Sequence, residues 1–124
     1  MMEFAEARKA ALVLAAIAEP TRLSIVNHLI RGPLHVSALA ELVGAPMVNM
    51  SHHLGVMRQA GLLDDEKDGR RVVYKFRDGV LTEGDGKKVL AILNLGPFRV
   101  VIQASDFPPD AGSKPKAKSK SKPK

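Results

Sequence analysis

Two neighbouring histidines, His52 and His53, stand at the head of the stretch SHHLGVMRQAGLL, Ser51 to Leu63. Imidazoles so placed are candidates for a metal site, a catalytic pair or a polar surface offered to a partner. The 124-residue chain contains no cysteine, which removes disulfides, thiolate metal sites and thiol redox sensing together. The choice among the remaining chemistries depends on the element that carries the pair.

Pro46 and Gly61 bracket a helix over 46–60, a start and a stop. At roughly 100° per residue, Met47, Met50, Leu54 and Met57 gather on one face, which is read as the core side. His52 then points away from the core beside Val48, Gly55 and Gln59, and His53 lies at the edge of the apolar stripe as a half-buried packing residue. Adjacent helical residues do not face each other, so the two rings should diverge and hold one metal ion poorly. No carboxylate, serine or other nucleophile nearby completes a catalytic group, and an enzyme is not expected.

Before this helix, residues 4–18 lack Gly and Pro and predict a first helix. Pro20 opens a second, with Leu23, Val26 and Ile30 at helical spacing and a stop near Gly32-Pro33. HVSALAELVG places Val36, Leu39, Ala40 and Val43 on one face of a third helix, ended by Gly44. After Gly61 the period changes, and LLDDEK and RRVVYKF around Asp68-Gly69 predict a β-hairpin. DGKKVLAILNLGP admits a helix, but Phe98, Val100 and Ile102 alternate, so strands are expected within 77–103.

Two domains of ordinary size do not fit in this length. The expected organisation is one unit over 1–105, with 77–105 as an extension, and a disordered lysine-rich tail over 106–124. That tail holds six lysines and two aspartates, so it carries +4 of the chain's net +6. RKAALVLAAIA is weakly hydrophobic, and Glu3 and Glu6 cancel Arg8 and Lys9; it reads as a buried helix, not a signal peptide or a membrane span.

Two short helices joined by a tight turn and followed by a hairpin make a winged helix-turn-helix, an α+β, mainly α fold whose second helix enters the DNA major groove. Residues 14–76 resemble the ArsR/SmtB family of bacterial dimeric repressors. LAAIAEPTRLSIVNHL is similar to its opening helices and HVSALAELVG to its third, while SHHLGVMRQAGLL with DGRRVVYKF matches its recognition helix and wing. The four pieces stand in the family's order with the family's gaps.

The resemblance implies that His52 meets base edges or phosphates, a merely solvated histidine being the alternative. Asn49 and Ser51 flank the same face, and Asn is suited to bidentate contact with adenine. Val48 stands where the family usually has a polar residue, leaving an apolar contact to a thymine methyl; Gln59 completes the outward row. In the wing, Lys67, Arg70 and Arg71 are placed for phosphates or the minor groove, unless they are a solvated turn offset by Asp64, Asp65, Glu66 and Asp68. Arg22 is read as structural. Gly55 departs from the family's frequent basic residue.

Many relatives bind metal through a Cys-x-Cys pair at the third helix or through acidic and histidine ligands near a last, dimerising helix. Here the pair corresponds to His35 and Ser37, and no histidine follows the wing, so no metal and no cofactor are expected. The expected function is a sequence-specific transcriptional regulator in the cytoplasm at the nucleoid, a homodimeric repressor whose partners are double-stranded DNA and a second copy of itself. An architectural DNA-binding protein using the basic tail, or a winged-helix protein-interaction module, are the alternatives.

Overall fold

The computed structural model describes residues 2–104. Met1 and 105–124, including the lysine-rich tail and its expected disorder, lie outside the described residues.

α1 (Phe4–Ile17) starts after Glu3, whose amide donates to the Glu6 carboxylate at 3.2 Å. α2 (Pro20–Leu29) leaves it at a bend of 86°. Proline supplies the first residue of α2 at no cost in hydrogen bonds, and the Glu19 side chain caps the turn by accepting from the Arg22 amide at 2.9 Å. A two-residue strand, β1 (Leu34–His35), leads into α3 (Val36–Val43), and α4 (Met47–Gln59) follows a three-residue turn.

The hairpin comprises β2 (Leu63–Asp68) and β3 (Arg71–Phe76), in register from Leu63↔Phe76 to Asp68↔Arg71. The turn therefore sits one residue later than the Asp-Gly signal indicated. Asp68 belongs to the ladder, and Gly69 with Arg70 forms the loop. Gly69 takes φ 68°, the left-handed value that the first loop position of a tight hairpin needs. β1 adds to the other edge of β3, giving the order β1-β3-β2. No periodicity marks so short a strand.

The extension is β, as its alternation indicated. β4 (Leu81–Glu83), β5 (Val89–Leu95) and β6 (Phe98–Gln103) form a separate antiparallel sheet in the order β4-β5-β6. Its turn between β4 and β5 is held by Asp85, whose carboxylate accepts from the Lys87 and Val89 amides at 2.7 and 3.1 Å. Those donors hold the Asp85 carboxyl below the usual carboxylate range. Gly84 is required there, because a Cβ would collide with the main-chain carbonyl of Val89.

One core joins both parts. Ile25, Leu29, Leu39, Met50, Leu54, Met57, Leu62 and Leu63 are buried between the helices and the hairpin, and Val80, Leu93 and Leu95 bring one face of the second sheet onto the same cluster. Two expected core positions differ. Leu23 is 52% exposed, because the buried arc of α2 is centred on Ile25, Val26 and Leu29, and Leu23 lies more than roughly 100° away from that centre. Met47 is 51% exposed because it opens α4, where the helix has not yet met the core. Among the described residues no single helix is long and apolar enough to cross a membrane.

Candidate nucleic-acid interface

The rotation of α4 is set from beneath. Met50, Leu54 and Met57 are wholly buried and lock that face to the core. Consequently Val48, 77% exposed, faces solvent, and Asn49, Ser51, His52 and Gln59 are exposed with it. Gly55 lies within this outer row, and a Cβ added to it meets nothing within 4 Å.

The two histidines occupy different environments. His52 is exposed; His53 is half-buried, with its Nδ1 3.0 Å from the Arg22 guanidinium and 3.9 Å from the Glu19 carboxylate. Arginine has no acceptor, so in this bond the guanidinium donates and Nδ1 of His53 accepts. The rings diverge less than helical geometry suggested, with centroids 5.4 Å apart and planes tilted by 59°.

Arg22 also donates from Nε to the Ala16 carbonyl at 2.7 Å, tying the end of α1 to the start of α2 and to α4. The Glu19 carboxyl is held below its usual range, first by the hydrogen bond from the Arg22 amide and then by the charge of the Arg22 guanidinium. Sequence reasoning gave Arg22 a structural place but missed this network. Glu is outside the usual set of helix caps, and the only local sign is its position directly before Pro20.

The wing separates its charges. Asp64 pairs with Arg77 at 3.1 Å, Glu66 with Lys75 at 3.8 Å, and Asp68 with His35 at 3.1 Å. Three of the four acids expected to offset the wing cations are thus engaged elsewhere, Asp65 being the exception. Among the described residues Lys67, Arg70 and Arg71 make no ion pair within 4.0 Å, and all three are exposed.

A depression between the start of α3, the start of α4 and the hairpin is lined by His35, Ser37, Met47, Ser51, Arg70 and Arg71 among others. It brings Ser51 beside the two wing arginines. Val48, Asn49 and His52 occupy the exposed surface of the same helix. Lys67 projects from β2 opposite Val72, and Gln59 lies at the far end of α4, bordering Leu12 and Ala15 of α1. Gln59 is therefore remote from the wing side of the set. Met47 and His35 border the depression without having been assigned to it; an apolar first-turn residue and a histidine paired across strands carry no sequence signal for that place. Among the described residues no three His, Cys, Asp or Glu side chains gather into a cluster able to hold a metal ion.

A family model described as a helix-turn-helix domain matches residues 17–66. The transcriptional regulator NmtR of Mycobacterium tuberculosis is 42% identical over 72 residues, covering 58% of this chain and 60% of NmtR. The transcriptional repressor SdpR of Bacillus subtilis is 31% identical over 71 residues, 57% of this chain and 79% of SdpR. The chain belongs to the ArsR/SmtB family of winged helix-turn-helix regulators.

Solved structures agree with that placement. A homodimeric winged helix-turn-helix DNA-binding domain from Mycobacterium bovis, described as a possible ArsR-family regulator, superposes with a TM-score of 0.56 at 29% identity, covering 58% of this chain and 67% of that one. In this member of the ArsR/SmtB family, the matched family model stops at residue 66, ahead of β3 and the whole second sheet.

Proposed function

We propose that this ArsR/SmtB member is a sequence-specific transcriptional regulator, a homodimeric repressor that sets two α4 helices into successive major grooves roughly 10 bp apart. Val48, Asn49, Ser51 and His52 read bases or hold phosphates from α4, and Lys67, Arg70 and Arg71 grip the backbone or minor groove from the wing. Gln59 adds a contact only where the DNA reaches the α1 end of the helix. The observation that carries this reading is the separation of charge in the wing: Asp64, Glu66 and Asp68 are paired elsewhere, and the unpaired arginines stand beside Ser51 and the uncovered face of α4. In the homodimer, the exposed Phe4 and Leu12 of α1 belong to the subunit seam. Residues 1–105 act as the recognition unit, and 106–124 add charge that contacts phosphates without reading sequence.

The test is duplex binding across a salt series for the wild type and an Arg70→Ala, Arg71→Ala double variant. The slope of log affinity against log salt should fall by about 0.9 for each phosphate contact removed, up to about 1.8 per subunit and about 3.6 for the dimer. An unchanged slope with unchanged affinity contradicts the placement of the wing on DNA.

A second reading is favoured by the apolar, solvent-exposed Val48 on the helix and by the absence of a side chain at Gly55. In it, the domain docks on DNA with little sequence preference and the charge of the tail supplies affinity.

A further inference from the structure

The second sheet ends in a free edge. β6 pairs with β5 on one side and, among the described residues, with no strand on the other. It is six residues long with Arg99 as its one charge, and Phe98 and Val101 are 42% and 50% exposed. The opposite edge, β4, has three residues and carries Glu83, which makes it a poor template for pairing.

The main chain of β6 has a definite phase. β5 and β6 are joined by the two-residue loop Gly96-Pro97, closed by Leu95↔Phe98. In such a loop the closing pair exchanges main-chain hydrogen bonds, and the direction alternates along the strand. Phe98, Val100 and Ile102 therefore turn their amides and carbonyls toward β5, while Arg99, Val101 and Gln103 turn theirs out of the sheet. The Ala104 amide, which donates inward to the Lys88 carbonyl at 2.9 Å, keeps the same phase, since the bulge in this ladder lies on β5 between Val89 and Ala91.

We propose that β6 pairs antiparallel with β6 of a second copy of this chain about a two-fold axis at Val101, joining the two C-terminal sheets into one continuous sheet across the dimer. This inference rests on the homodimer reading above and locates part of its seam. A two-fold axis normal to the sheet matches like faces and makes the contact self-complementary, so one patch serves both partners. With the axis at Val101, all three outward residues find main-chain partners: Val101 meets Val101 of the second copy, and Arg99 meets Gln103. That register also keeps the two Arg99 charges from facing each other. A second copy is the occupant because the edge is self-complementary in this register and the related Mycobacterium bovis domain is homodimeric.

The test uses the full chain, whose lack of cysteine makes an introduced thiol unique. Sedimentation of the wild type should show a dimer. Val101→Cys should form a disulfide-linked dimer on mild oxidation, since the paired Cα atoms would lie about 5.5 Å apart, within disulfide range. Glu83→Cys, on the opposite edge, should form none. Val101→Pro removes an amide that makes no bond to β5, so it should weaken dimerisation at least tenfold with an unchanged circular dichroism spectrum. A monomeric wild type overturns the homodimer reading and this inference with it. A dimeric wild type in which Val101→Cys fails to cross-link, or Glu83→Cys cross-links equally well, leaves the homodimer standing and overturns the β6 seam.

Discussion

The guanidinium of Arg22 donates to Nδ1 of His53 across 3.0 Å, joining the start of α2 to the middle of α4 while the neighbouring His52 faces solvent. The two histidines thus divide between holding the helix and presenting its surface. Glu19 completes the holding side, with its carboxylate on the Arg22 amide and 3.9 Å from His53.

The Glu19 arrangement makes stability depend on pH. Its folded-state pKa lies below the ordinary value of 4.5, so the stabilisation is fully present above that value and is lost as pH falls through the lower, folded pKa. Glu19→Gln should lower the melting temperature at pH 7, and the gap from the wild type should shrink progressively as the pH is taken below 4.5. Melting curves at both pH values check this; a gap of the same size at pH 3 contradicts the role of the charge.

Gly55 is expected to be replaceable to advantage. It lies within a helix, it has no left-handed φ, and the space where a Cβ would go is open. Gly55→Ala should stabilise the fold by about 1 kcal/mol. Gly55→Lys should tighten binding to any duplex by adding a phosphate contact on the α4 face. Chemical denaturation and duplex titration measure the two effects; a destabilised alanine variant would mean that the row is more crowded than the structure indicates.

His52→Ala and Asn49→Ala should each weaken binding to a preferred site by about 1–3 kcal/mol per half-site contact, without altering the melting temperature by more than a degree or two. His53→Ala should instead lower the melting temperature, since it strips a partner from Arg22. Equal discrimination between preferred and random DNA in the His52 and Asn49 variants would reject this reading face.

Much of this was legible in the sequence because local signals and burial agreed. Pro20, Gly44, Pro46 and Gly61 bound helices within a residue or two of the observed ends, and Met50, Leu54 and Met57 gave the rotation of α4. The alternation of Phe98, Val100 and Ile102 carried the strand reading of the extension against a competing helical one. What escaped depended on contacts distant in sequence. β1 exists because Leu34 and His35 meet Tyr74 and Val73, and the wing cations are unpaired because Asp68 finds His35, 33 residues away. Neither relation leaves a periodic trace. Met47 fits the apolar stripe by angle and fails by position, since the stripe rule does not register where a helix first meets its neighbours.

The lysines of the tail, Lys114, Lys116, Lys118, Lys120, Lys122 and Lys124, carry a prediction from charge alone. Deleting residues 113–124 should weaken preferred and random DNA by similar factors and reduce the salt slope by at most about 5 per subunit, leaving the preferred sequence unchanged. Titrations of full-length and truncated protein across a salt series decide it; identical slopes would show that the lysines do not touch DNA.

The central claim is that the exposed face of α4 reads sequence in a two-fold arrangement. Selection of bound fragments from random duplex DNA by the purified protein tests it most directly. The account predicts one enriched inverted repeat, with half-site centres about 10 bp apart or a multiple of that, and with loss of enrichment in the Asn49→Ala, His52→Ala double variant. Recovery of duplexes with no common sequence, at an affinity governed by salt alone, would contradict it.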